Sequence, residues 1–248
     1  MHRFYMPPES CGGAQVTLMG SEAHHAVSVL RVRVGEPVVV LDGVGRELRG
    51  RIEHVGKHEV GVRVEERREF PPRDVVVHLA VALLKGRAWD VVLEKATELG
   101  AASIQPLAAD RCVARVADDD VPAKLAGWRT TTIAAAKQCG TTWLPDLRPP
   151  VRPASWCGQE EGKRSPGHRS LVAALEPGAV TIRSALAGTG VKSVTVIIGP
   201  EGDFTAEEYA GFRAAGAVPI SLGSLVLRAD TAVIAALAVA GAELASGS

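Results

Sequence analysis

The chain has 248 residues, 46% of them hydrophobic and 23% charged, with Lys+Arg 28 balanced against Asp+Glu 28. A formal charge of zero sets it apart from domains that coat nucleic acid by charge alone, which are strongly basic, and the length holds one large or two modest domains. Four scattered cysteines (Cys11, Cys112, Cys139, Cys157), without C-x-x-C or paired Cys/His spacing, argue against zinc, other metals and disulfides. No apolar run approaches the roughly 20 residues that span a bilayer. The opening MHRFYMPPES lacks the apolar core of a signal peptide, so a cytoplasmic protein with no membrane partner is expected.

The first 70 residues read as short strands separated by glycine-bearing breaks. Ala14–Met19, Pro37–Asp42, Arg46–His54 and Glu59–Glu66 are β-branched or alternating runs, and Asp42-Gly43-Val44-Gly45 is a turn. A short helical stretch, Glu22–Leu30, interrupts them. The pattern predicts a small β-barrel over residues 1–72, closed by a charged approach (Glu65–Glu69) and a Pro71-Pro72 linker.

From residue 73 to 248 the periodicity changes. Val75–Leu84 reads as a buried strand, Trp89–Leu99 as an amphipathic helix ended by Gly100 as a C′ cap, Ser103–Leu107 as a strand and Lys124–Gln138 as a helix. Gly158–His168 is polar and reads as a surface loop. Leu171–Leu175, Val194–Ile198 and Pro219–Leu222 are strands interleaved with helices at Thr205–Ala215 and Asp230–Leu244. Strands alternating with helices predict an α/β fold on a mostly parallel sheet.

Three of these strands run into glycine-bearing turns. Val194–Ile198 meets Gly199-Pro200-Glu201-Gly202, and Thr205-Ala-Glu-Glu208 then has capping-box spacing. Ile220-Ser-Leu-Gly-Ser-Leu-Val-Leu-Arg-Ala-Asp-Thr-Ala232 places Arg228 at a helix entrance, and Leu171-Val-Ala-Ala-Leu-Glu-Pro-Gly178 ends a strand the same way. In a parallel sheet such strand ends converge on a ligand. Gly199 and Gly202 are expected to take positive φ and let the ligand reach the backbone. Neither G-x-G-x-x-G nor G-x-x-x-x-G-K-[ST] occurs, which excludes the common dinucleotide site and the P-loop.

GPEGDF followed by LGSLVLRADTA resembles the paired C-terminal motifs of the SPOUT methyltransferases, above all the family that methylates N3 of a uridine in 16S ribosomal RNA. Leu84-Lys85 with Glu94–Gly100, Pro106–Arg111, Ala135–Gly140 with Pro145, Arg3-Phe4-Tyr5, His25, Leu30-Arg31 and Gly35-Glu36 are similar to its other motifs, so the likeness covers nearly the whole chain. It implies a trefoil-knotted domain that binds S-adenosylmethionine and forms a homodimer through the knot, preceded by a PUA- or OB-like RNA-binding barrel. The cofactor cradle would comprise Ala174, Leu175 and Glu176 on one loop and Gly199, Pro200 and Gly202 on the next. Leu222, Gly223, Leu225, Leu227 and Thr231 would supply the third. Arg3, His25, Arg31, Lys85, Arg111 and Lys137 would contact the RNA of the small ribosomal subunit. The chain departs from the family at Asp203, usually a second glycine, at Lys137, usually glutamate, at Thr141, usually arginine, and in LRAD (Leu227–Asp230), usually LRTE.

Uracil N3 is weakly acidic and lies on the pairing edge, so the base must be unpaired to react. A guanidinium beside O2 or O4 would stabilise the anion formed on deprotonation, and Arg228 at a helix start suits that role; its alternative is an ion pair with Asp230 or Glu201. Glu201 would accept a proton or orient Arg228, or else bond nearby backbone N–H groups. Two further readings stay open: ribose 2′-O methylation on the same fold, and an RNA-binding ribosome-assembly factor that has lost catalysis.

Overall fold

The computed structural model describes residues 1–158, 167–188 and 190–246, so most of the polar stretch Gly158–His168 lies outside the described residues. The chain divides into two compact units, residues 1–72 with 133–144, and residues 73–132 with 145–248. Among the described residues no helix is long and apolar enough to cross a membrane.

The N-terminal unit is a five-stranded sheet in the order β1 (His2–Tyr5), β3 (Pro37–Leu41), β4 (Arg46–Val55), β5 (Glu59–Glu69), β2 (Gln15–Met19). The β1–β3 pair is parallel and the others antiparallel. No β1–β2 ladder occurs among the described residues, so where the sequence suggested a barrel the strands form a mixed sheet with two ends. The charged approach Glu65–Glu69 is the end of β5, ahead of Pro71-Pro72, and pairs with β4 in register from Arg46↔Glu69. Arg and Glu side chains there form same-strand and cross-strand ion pairs, as in Arg68–Glu66 at 2.8 Å and Arg51–Glu65 at 3.3 Å. Strand β1 was not expected; four residues carry too short a period to read. Its Phe4 is fully buried with Leu18, Leu48, Ile52 and Val60. The expected helical stretch is α1 (Gly20–His24), which continues as a π-helical turn over His25–Leu30 and stops at Arg31 in the left-handed region, φ 54°.

Residues 133–144, the last turns of α3 (Val121–Cys139) and the segment after it, belong to this unit. Arg3 donates to the carbonyls of Lys137 and Gln138 at 3.2 and 3.1 Å, satisfying carbonyls that a helix end leaves open. Leu144 N–H donates to Gly43 O and Gly45 N–H to Thr142 O.

The C-terminal unit is a six-stranded, all-parallel sheet: β11 (Val218–Ile220), β9 (His168–Ala173), β10 (Ser193–Ile198), β6 (Val76–Ala82), β7 (Ser103–Leu107), β8 (Asp146–Leu147). Central strands such as β10 and β6 are apolar almost throughout, as strands covered on both faces are. Helix α2 (Arg87–Glu98) buries Trp89, Val92, Leu93, Ala96 and Thr97, the i, i+3, i+4, i+7, i+8 stripe of an amphipathic helix, and ends at Gly100 with φ 73°. It packs against α7 (Ala229–Ser246), which in turn covers β6 and β10. Helix α4 (Pro153–Gly158) packs on α6 (Ala206–Ala214) through Trp156 and Phe212. Helix α6 begins with the expected capping box: Thr205 accepts from Glu208 N–H and Glu208 from Thr205 N–H. Strand β8 and helices α4 and α5 (Ile182–Leu186) are two to six residues long and had no readable period.

Candidate functional site

Strands β11, β9 and β10 are neighbours, so the three glycine-bearing turns leave the same edge of the sheet. Between them lies a cavity of about 310 Å³, within the range of small-molecule sites. The β9 exit contributes Ala174 and Leu175, the β10 exit Gly199, Pro200 and Glu201, and the β11 exit Leu222, Gly223, Leu225, Leu227 and Arg228. Ile198 and Ile220 form part of its wall. Leu175, Leu225 and Val226 are among the most exposed large apolar residues described, at 67%, 75% and 79%, so the wall is apolar and its lip is open to solvent.

Three expected cradle residues are not on this wall. Glu176 is held by Arg213, whose Nη1 lies 3.1 and 3.0 Å from its two carboxylate oxygens. Thr231 is exposed, its N–H donating to Asp230 Oδ1. A Cβ on Gly202 would approach Arg111, at 3.4 Å, and not the cavity. Neither Gly199 nor Gly202 has positive φ; in this loop the left-handed residue is Asp203, φ 60°. The position where the resemblance leads one to expect glycine is thus the one that needs it, and aspartate is among the few other residues that tolerate that region. Gly223, φ 126°, is the lining glycine whose backbone a side chain would strain.

Arg228 stands just before α7 with its side chain 82% exposed, and its Nε is 3.7 Å from Asp230 Oδ1. The ion pair with Asp230 therefore exists but is long and solvated, and the guanidinium remains available at the lip. Glu201 is exposed on the β10 side. Asp203 and Tyr209 also line the cavity and were not singled out as site residues. Burial, followed by the hydrogen bond to Asp203, pushes the Tyr209 phenol well above its usual range. Its helix position after a capping box was the only available signal, and that reads equally as packing.

The six expected RNA contacts separate into distinct environments. Arg31 and Lys85 are exposed. His25 is half-buried, edge-on to Phe4. Arg3 caps α3, and Lys137 donates to Glu22 Oε1 at 2.6 Å. Arg111 Nη1 donates to Gly202 O at 3.1 Å, so it braces the turn after β10. Long-range partners of this kind leave no trace in local sequence.

A parallel α/β unit with an apolar pocket across three adjacent strand ends, joined to a small mixed-sheet unit, matches two family models. One, described as an RNA methyltransferase domain, covers residues 71–241, and the other, an RNA methyltransferase PUA domain, covers 18–65. Relatives include ribosomal RNA small subunit methyltransferase E of Mycobacterium bovis, 33% identical over 96% of this chain and 90% of its own length, and that of a Synechocystis species, 31% identical over 99% and 78%. The chain belongs to this family of RNA methyltransferases. Among solved structures, a Legionella pneumophila methyltransferase in complex with S-adenosylmethionine superposes with TM-score 0.87 at 33% identity, covering 97% of this chain and 96% of that one. The Neisseria gonorrhoeae ribosomal RNA small subunit methyltransferase E bound to the same cofactor gives 0.84 at 26% identity, covering 96% of each.

Proposed function

We propose that this protein is an S-adenosylmethionine-dependent methyltransferase that acts on N3 of a uridine in 16S ribosomal RNA of the small subunit. The observation that carries the reading is the cavity at the ends of β9, β10 and β11 in a chain of this family, with a guanidinium at its lip. Its residues fit the cofactor: apolar side chains suit an adenosine, and Gly223, with open space where a Cβ would stand, leaves backbone open to a close ligand. The cofactor supplies an activated methyl group on a sulfonium, and the protein supplies proximity and alignment.

Arg228 places its planar fork beside O2 or O4 of the flipped uracil and stabilises the anion at N3. Glu201, on the neighbouring wall, takes the N3 proton or orients Arg228. Arg31 and Lys85 hold phosphates, positioning the RNA without reading its sequence. His25, the first residue of the π-helical turn, contacts the RNA surface. Residues 1–72 are the RNA-gripping domain and 73–248 the catalytic one, apart from residues 133–144, which group with the former. We also take the C-terminal domain to be knotted and to dimerise. Helix α7 supports the dimer, since Ala238 and Val239 leave its solvent side apolar.

Mass spectrometry of ribosomal RNA nucleosides from cells with and without the gene tests the reaction. Loss of 3-methyluridine on deletion, restored by the wild-type chain, is expected. Loss of a 2′-O-methyl nucleoside instead would transfer the site to ribose chemistry, and an unchanged profile would leave a binding factor.

A further inference from the structure

Asp203 occupies the left-handed region at φ 60°, and its Oδ1 is doubly engaged. It accepts from Phe204 N–H at 2.8 Å and from the Tyr209 hydroxyl at 2.7 Å. The same hydroxyl lies 3.0 Å from Ala173 O. Ala173 ends β9, Asp203 follows β10, and Tyr209 is in the first turns of α6. All three line the cavity. Its single proton is shared between the two acceptors, so one phenol bridges two walls that belong to different strand exits.

Two other roles for Tyr209 fit less well. A proton acceptor is excluded in practice, because burial and the adjacent carboxylate keep the phenol protonated. Simple packing is present, with the Phe204 ring edge-on at 5.6 Å, but packing does not require the hydroxyl. What the hydroxyl does is hold a carboxylate whose residue sits in a disfavoured backbone region. Without it, the turn after β10 would keep only the bond from Phe204 N–H at that oxygen.

We propose that Tyr209 and Asp203 form a positioning pair that sets the shape of the cofactor pocket, Tyr209 clamping the Asp203 turn against the end of β9. The proposal rests on the reading of this cavity as the S-adenosylmethionine site. It makes Asp203, not a glycine, workable at a left-handed position, and it makes the hydroxyl dispensable once that position is glycine.

Calorimetry with S-adenosylmethionine on wild type, Tyr209→Phe, Asp203→Gly and the double variant tests it, with thermal melts and steady-state kinetics alongside. Tyr209→Phe should weaken cofactor binding about tenfold and raise KM for the cofactor, while kcat at saturating cofactor stays within about twofold of wild type. In the Asp203→Gly background the same change should cost less than about threefold, a coupling that independent sites do not show. Equal losses in the two backgrounds, or a loss that only follows a lowered melting temperature, would overturn the pair. No binding by the folded wild type would overturn the cofactor reading itself, and the pair with it.

Discussion

Lys137 Nζ lies 2.6 Å from Glu22 Oε1, with the two side chains 19% and 15% exposed. Glu22 Oε2 accepts in turn from Tyr5 N–H at 3.1 Å. The carboxylate thus joins α1, β1 and the end of α3 inside the N-terminal unit. A lysine at 137, where the resemblance leads one to expect glutamate, is complemented by this partner. Lys137→Ala should destabilise the protein by about 1–3 kcal/mol, the range for losing a charged hydrogen bond with a shielded partner left behind. Lys137→Glu should cost more, and Glu22→Lys added to it should recover part of the loss. Urea unfolding followed for all three variants measures the pattern; equal stability throughout would leave the pair decorative.

Arg228 separates chemistry from architecture. Its only ion pair among the described residues is the 3.7 Å contact with Asp230, and it is 82% exposed, so the fold loses little on its replacement. Arg228→Lys should lower the single-turnover methylation rate by about 10²–10³, as removal of a charge-stabilising donor does, while cofactor affinity stays within about threefold. Single-turnover rates at saturating cofactor make the comparison. A rate near wild type would reduce Arg228 to a structural residue.

Glycine positions around the cavity are not equivalent. Gly223 has φ 126° and lines the cavity, so Gly223→Val combines backbone strain with lost space and should weaken cofactor binding by at least about tenfold. Gly202 lacks positive φ, and an added Cβ would meet Arg111 at 3.4 Å, an ordinary contact. Gly202→Ala should therefore bind within about threefold of wild type. Titration of both variants with S-adenosylmethionine decides whether the pocket depends on the β11 exit more than on Gly202.

His78 and His168 lie on β6 and β9 with ring centroids 6.3 Å apart. His78 Nδ1 pairs with Ser103 Oγ at 2.8 Å and His168 Nδ1 with Ser193 Oγ at 2.9 Å. Burial depresses both imidazoles below their usual range; for His78 the neighbouring His168 and Arg148 add to this, and Asp146 opposes it. The folded state thus binds these protons less readily than the unfolded chain, which begins to take them up near pH ~6.5. Stability consequently falls as pH drops through that value and levels off once the folded-state pKa is passed. Melting temperatures should fall between pH 7.5 and 5.5, and His78→Gln with His168→Gln should flatten that dependence. An unaltered slope would assign the acid sensitivity elsewhere.

What the sequence determined by itself is what acts over a few residues. The Thr205–Glu208 box starts α6, Gly100 ends α2, and the switch from alternating to helical period near residue 73 marks where parallel α/β structure begins. Turns after three parallel strands had to emerge at one edge of the sheet, so a shared pocket was foreseeable once the strands were recognised. Tertiary structure alone decided that β11, β9 and β10 are adjacent, and that residues 133–144 pack with the N-terminal unit. It also decided that Asp203, not Gly199 or Gly202, takes the left-handed turn, and that Arg3, Arg111 and Lys137 spend their hydrogen bonds on the protein. Such pairings join residues as many as 135 positions apart. They follow from which surfaces meet after the core is buried, and no local period or propensity records that.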